Sequence, residues 1–176
     1  MKMLWGMVKL EFLHKYNFMK KFFFIAALVF IDQISKYQVI QKFSIGESLN
    51  LLPILDIYLI LNTGVAFSLF DDGGSFGRWL LVFLVFLVCL YLIYILLTES
   101  LNNLESTALI MILSGGLGNL IDRSFRGHVI DFIHFYYDTY SFYIFNFADT
   151  FITIGVIIYI LDIVIQKFRA NGNKTS

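Results

Sequence analysis

The chain has 176 residues, of which 59% are hydrophobic and only 15% charged, and its formal net charge is zero. This is one domain's length, too apolar for a soluble domain, and a neutral chain offers no electrostatic case for nucleic acid. Cys89 is the only cysteine, which excludes an intrachain disulfide, and His14, His128 and His134 are too scattered for metal-ligand spacing. A surface that meets lipid is the remaining class, and Cys89, inside an apolar run, reads as a packing or lipid-facing residue.

A lipid-spanning helix needs about 20 mainly apolar residues. The basic segment 1–21 carries Lys2, Lys9, Lys15, Lys20 and Lys21. The first span is expected over 22–40. It is too long and too charged for a cleavable signal peptide, and no small-residue cleavage site follows it. Within it, "DQISK" sets Asp32 and Lys36 at i, i+4 on one helix face, and such charges in lipid pair or face the bundle interior. They read either as an ion pair ordering the bundle or as substrate contacts.

Next, "LDIYLILN" alternates Asp56, Tyr58, Ile60 and Asn62 against Ile57, Leu59 and Leu61, a strand signal. "GVAFSLF" and "DDGGSFG" then suggest a short interfacial element with a glycine turn. This stretch reads as a lid with Phe67 as its gate, or as a plain membrane anchor. Asp56, Asp71 and Asp72 are expected to be solvated. A second span is expected over 79–97, followed by the loop "TESLNNLES", which holds no Lys or Arg.

The third span, 104–121, runs into "GGLGNLIDR". Here Ser114, Gly118 and Asp122 share one stripe, and Gly115, Asn119 and Arg123 the next. The glycines suit close helix approach. Asn119 and Arg123 read as site residues, or as packing and snorkelling groups. The segment 122–146 contains Asp131, flanked by Val129, Ile130, Phe132 and Ile133, and Asp138, which looks like a turn residue. A fourth span is expected over 147–165. "FNFADT" places Asn146 and Asp149 at i, i+3 at its start, where a helix N-terminus favours negative charge and an Asn cap. Asp162 is expected to be wet. The tail carries Lys167, Arg169 and Lys174.

Four spans put both termini on one side, and the Lys/Arg bias makes that side cytoplasmic. The segments 41–78 and 122–146 are then outside, and residues from four stretches of chain converge on the outer membrane face. Asp122 and Asp131 both stand as partners for Asp149, and spacing does not choose between them. An enzyme site, a small transporter or proton relay through Asp32, Lys36 and Asp149, and a structural scaffold are the classes in play. The outer clustering of acids speaks against the relay, and the scaffold gives no reason for so many polar groups.

The blocks "DQISK", "NTGVAF", "GGLGNLIDR", "VIDF" and "FNFAD", in this order over about 22–166, resemble the lipoprotein signal peptidase (signal peptidase II) family. The resemblance implies an all-α polytopic membrane protein of four transmembrane helices, with a small extracytoplasmic β-sheet and an interfacial helix, in one protease domain. It implies an aspartyl endopeptidase of the bacterial cytoplasmic membrane that removes signal peptides from diacylglyceryl-modified prolipoproteins, cutting before the lipidated cysteine. Its catalytic pair maps onto Asp131 and Asp149, with Asn62, Asn119, Asp122, Arg123 and Asn146 as supporting or substrate-binding residues. No metal or cofactor is implied. The implied partners are the prolipoprotein, membrane lipid and the family inhibitor globomycin.

Overall fold

A computed structural model describes residues 2–64 and 76–172, with side chains described from Met19 to Asn171. Phe67, Asp71, Asp72 and the expected interfacial helix lie outside the described residues. The elements run α1 (Lys2–Lys42), β1 (Ser48–Leu52), β2 (Leu55–Asn62), α2 (Phe76–Thr98), α3 (Asn103–Phe125), β3 (Val129–Tyr137), β4 (Tyr140–Phe145) and α4 (Phe147–Gly172).

Four helical stretches, Met19–Lys42, Phe76–Thr98, Asn103–Phe125 and Phe147–Asn171, are long and apolar enough to cross a membrane. Their outward faces are apolar: Phe83, Leu84, Phe86 and Leu87 on α2, and Ile154, Ile157 and Ile160 on α4, are all exposed. In water such a surface would be an aggregation liability, whereas hydrocarbon carries no such penalty. The central helix is α3, which packs on α1, α2 and α4. Cys89, Leu96, Leu109, Ile110 and Leu113 form the apolar core between α2 and α3.

Close approach of α3 to α4 depends on glycine. A Cβ on Gly115 would lie 2.2 Å from the Ala148 carbonyl oxygen, and one on Gly155 would lie 2.8 Å from that of Ala108. Without Cβ atoms the two backbones meet, which substitutes for the hydrophobic drive that lipid does not supply.

An all-α description understates the rest. An antiparallel sheet of four strands, in the order β1-β2-β3-β4, caps one end of the bundle. The expected strand signal at 55–62 is β2, but the aromatic and β-branched run 129–145 forms β3 and β4 as well. A bulge between Ile57 and Ile60 puts one extra residue into β2, so Ile60 pairs with Asp131 and Asn62 with Val129. The extra residue re-phases the strand and turns Asn62 to the same face as Asp131. Asp138, at the turn from β3 to β4, has φ 53°, a conformation Asp tolerates in turns.

Asp56 is not simply solvated. It pairs across the sheet with His134, and its Oδ1 accepts from Asn50 Nδ2 at 2.9 Å, so it belongs to a polar cross-strand ladder. Asp162 departs further from expectation. It is 4% exposed, because α4 continues well past it and turns it towards α3. Its Oδ2 accepts from Asn102 Nδ2 at 3.0 Å and Gln166 Nε2 at 2.6 Å. Asn102 is also the N-cap of α3, in a reciprocal capping box with Glu105. The cation-free loop between α2 and α3 is met from outside: Lys21 of α1 donates to the Leu96 carbonyl at 3.1 Å, in the last turns of α2 where the helix dipole favours a cation.

Candidate active site

The end of the bundle under the sheet gathers polar side chains from α1, β2, β3, α3 and α4. Asp131, third in β3, is 1% exposed. Both its oxygens accept side-chain amide N–H groups, Oδ2 from Asn62 Nδ2 at 2.9 Å and Oδ1 from Asn146 Nδ2 at 2.6 Å. Asn62 is held in turn by the Gly64 N–H, which donates to its Oδ1 at 2.9 Å. Burial pushes the Asp131 carboxyl above its ordinary range. The Asn62 hydrogen bond opposes this and the Asp149 charge adds to it, while Asn146 and Lys36 oppose it, and the net direction is up.

Asp149 is the third residue of α4, one turn inside the bundle, and is half-buried. Asn146 precedes the helix and acts as its cap: its Oδ1 accepts the Asp149 N–H at 2.9 Å, and Asp149 Oδ2 receives the Asn146 N–H at 3.4 Å. The capping reading and the site reading of "FNFADT" are therefore the same contacts. Asn146 is fully buried, caps Asp149 through its oxygen and bonds Asp131 through its nitrogen. Asn119 Nδ2 donates to Asp149 Oδ1 at 2.7 Å.

Behind these amides lies a buried charge network. Lys36 Nζ sits 2.8 Å from Asp32 Oδ2 and 2.8 Å from Asp122 Oδ2, with all three side chains fully buried. Arg126 pairs with Asp122 and donates to Gln33 Oε1 at 3.0 Å. The two N–H groups of Gln33 Nε2 are shared among Asp32 Oδ2, the Gly118 carbonyl and Asp122 Oδ1, at 3.1, 3.1 and 3.2 Å. Two aspartates and two cations balance, which makes burial of the group tolerable. Asp32 also accepts the Ala148 N–H at 2.9 Å. It thus satisfies one of the free donors at the N-terminus of α4, in addition to pairing with Lys36.

Asp131, Asp149, Asn62, Asn119 and Asn146 form one hydrogen-bonded unit, and Asp32, Lys36 and Asp122 form the layer beneath. Arg123 lies within electrostatic reach of Asp149, Asp131 and Asp122. Its Nε is buried and has no hydrogen-bond partner among the described residues. Gln33 and Arg126 escaped the sequence reading, although Arg126 stands four residues after Asp122, the spacing that singled out Asp32 and Lys36. Among the described residues no group of three or more His, Cys, Asp or Glu is arranged to hold a metal ion.

Membrane-length helices around a half-buried aspartate and a buried one, each fed N–H by amides, define a multi-pass membrane protein with a polar cluster at one end of its bundle. Residues 24–165 match the family model described as signal peptidase (SPase) II. The lipoprotein signal peptidase of Neisseria meningitidis serogroup C (strain 053442) is 37% identical over 130 residues, 73% of this chain and 78% of that protein. That of Mesorhizobium japonicum (strain LMG 29417 / CECT 9101 / MAFF 303099) is 39% identical over 127 residues, 72% and 74% of the two chains. A bacterial membrane enzyme solved by the in meso method at 1.9 Å superposes with a TM-score of 0.74 at 30% identity, covering 82% of this chain and 92% of its own. A second, at 2.3 Å, gives 0.71 at 29% identity, with 84% and 89% covered. The chain belongs to the signal peptidase II family.

Proposed function

We infer that this protein is a lipoprotein signal peptidase, a membrane protease that removes signal peptides from bacterial prolipoproteins, and that its catalysis is of the aspartic type. The observation that carries the catalytic type is the placement of Asp131 and Asp149 on either side of Asn146, with amide N–H groups supplied to both.

Peptide hydrolysis by two carboxylates needs one ionised and one protonated. Two neighbouring like charges do not both ionise cheaply, and burial of Asp131 raises that cost, so the pair holds one proton over a useful pH range. The ionised member takes a proton from the attacking water, while the protonated member donates its proton to the scissile carbonyl oxygen; as the tetrahedral intermediate collapses, the first passes the proton from water to the leaving amine and the second recovers its own from the hydroxyl. Half-buried Asp149 gives the substrate access, and Arg123 is a cation within electrostatic reach of both aspartates. Asn62, Asn119 and Asn146 hold the carboxylates, and Asp32, Lys36 and Asp122 hold the amides and helix ends.

The Lys/Arg bias places both termini in the cytoplasm and the sheet-capped end at the outer face of the cytoplasmic membrane. A diacylglyceryl-modified substrate then reaches the site sideways from the bilayer, with the bond before its lipidated cysteine at headgroup depth. By sequence the segment containing Phe67 is a lid candidate, with a plain membrane anchor as the other reading, and globomycin is the expected inhibitor by family. Purified protein incubated with a lipid-modified prolipoprotein should release the signal peptide. A protein that binds this substrate without cutting it would exclude the assignment.

A further inference from the structure

We propose that Lys36 is a positioning residue for the reaction: from beneath the site it fixes which way the Asn119 and Asn146 amides face, and through them which groups the two aspartates meet. The inference rests on the reading of Asp131 and Asp149 as the reacting pair.

Lys36 is fully buried, so its effect on the chemistry is exerted through neighbours rather than substrate. Its ammonium donates to Asp32 Oδ2 at 2.8 Å and to Asn119 Oδ1 at 3.2 Å, and lies 2.8 Å from Asp122 Oδ2 as an ion pair. An ammonium only donates, so Asn119 must turn its oxygen towards Lys36. Its nitrogen then faces Asp149 Oδ1, at 2.7 Å. Asn119 Oδ1 also receives Asn146 Nδ2 at 3.3 Å, and that nitrogen bonds Asp131 Oδ1 at 2.6 Å. The remaining Asn146 oxygen receives the Asp149 N–H. Reversing Asn119 would set its NH2 against both Lys36 and Asn146, and its oxygen against Asp149. One cation on α1 thus selects amide orientations that present N–H to both carboxyl groups. Orientation is what an aspartic pair requires, since an acceptor turned towards an aspartate favours its protonated form and an N–H favours its ionised form.

The charged groups around Lys36 are Asp32 on α1, Asp122, Arg123 and Arg126 on α3, Asp131 on β3, and Asp149 on α4 reached through Asn119. The charge of Lys36 and the N–H groups it directs both favour ionisation of the pair. Removing Lys36 therefore moves the acidic limb of the activity profile to higher pH.

Lys36→Met alone would strand Asp32 and Asp122, so the informative variant is Asp32→Asn with Lys36→Met, read against Asp32→Asn alone. Asn at 32 keeps an oxygen for the Ala148 N–H. The expected result is a loss of kcat per folded molecule of about tenfold or more, with KM changed less than about threefold, and an acidic limb of kcat/KM raised by about one pH unit. Lys36→Arg, which keeps the charge, should move the limb less. A readout free of turnover is the side-chain amide resonance of Asn119 in 15N-Asn-labelled protein in micelles. Asp149→Asn should shift it when Lys36 is present and leave it unmoved in the double variant. A double variant with the same kcat and pH profile as Asp32→Asn, or an Asn119 resonance that reports Asp149 equally in both backgrounds, overturns the proposal. Turnover by Asp131→Asn or Asp149→Asn would defeat the reacting-pair reading instead, and the resonance would still decide the orientation of Asn119.

Discussion

Asp131→Asn separates chemistry from folding at a site where both effects follow from the same contacts. Asn62 and Asn146 each direct an N–H at Asp131, at 2.9 and 2.6 Å. An amide at 131 keeps one acceptor oxygen and sets an NH2 against the other donor. One unmet buried hydrogen bond costs about 1–3 kcal/mol. In the other direction, burial already holds the carboxyl above its ordinary range, so the neutral amide removes a penalty on charge. The two effects oppose each other, and the expected change in Tm at neutral pH is within about 4 °C, corresponding to roughly 1 kcal/mol for a chain of this size.

The sign of the pH dependence is fixed. An aspartate whose folded pKa is raised stabilises the fold most below its unfolded pKa, and that contribution is lost as pH rises through the folded value. The variant lacks this loss, so its Tm relative to the parent should rise as pH is raised above the ordinary carboxylate range. Turnover is another matter. Removing one member of an acid/base pair costs about 10²–10⁴-fold, and the upper figure corresponds to about 5.4 kcal/mol of transition-state stabilisation. The assays are a gel-shift cleavage of a lipid-modified prolipoprotein by purified enzyme in micelles and a thermal melt of the same sample. Turnover within tenfold of the parent by well-folded Asp131→Asn, or loss that merely tracks melted protein, would refute the reasoning.

Asn102→Ala removes the N-cap of α3 and one of the two amide donors to buried Asp162, so stability should fall by about 2–4 kcal/mol while turnover per folded molecule is retained, as a denaturation curve beside the cleavage assay will show. Gly115→Ala would place a Cβ 2.2 Å from the Ala148 carbonyl oxygen, next to Asp149. It should cost about 3 kcal/mol or more and lower the yield of folded protein, and wild-type yield with wild-type Tm would contradict the packing. Reporters of sidedness fused at Asn102, between α2 and α3, and at Asp138, at the tip of β3 and β4, should give opposite answers, and matching answers would overturn the orientation.

What could be read from sequence was whatever depends on local spacing. Membrane-length apolar runs carry their own signature, and so do Asp32 and Lys36 four residues apart or Asn146 and Asp149 three apart. What could not be read depends on partners distant in the chain. Nothing around Asp162 announces that Asn102 lies against it, so a polar residue near a span end looked wet. Nothing in "DQISK" shows that Asp32 meets the Ala148 N–H, or that Gln33 reaches Gly118 and Asp122. The bulge in β2 is equally silent, because its effect on Asn62 exists only relative to β3. Asp131 itself was visible as an oddity, an acid among Val, Ile and Phe, but choosing it over Asp122 took the family motif. The contacts give the physical difference: Asp122 is spoken for by Lys36 and Arg126, whereas the side chains hydrogen-bonded to Asp131 among the described residues are neutral amides.

The bond from the Ala148 N–H to Asp32 ties the last helix to the first, and this bears on how the chain is made. The ribosome delivers α1 long before α4, so Asp32 and Lys36 enter the bilayer while most of their later partners are still unsynthesised. Their spacing lets them neutralise each other within a single helix, which lowers the cost of inserting two charged side chains. The same carboxylate then waits, one oxygen on Lys36 and the other open, until the start of α4 arrives with its unpaired amide. Asp149 and Asn146 come in on that same turn. A nascent chain halted before α4 would hold the whole lower layer of the cluster and neither the cap nor Asp149, so under the proposed two-aspartate mechanism it would be inert until its final span docks.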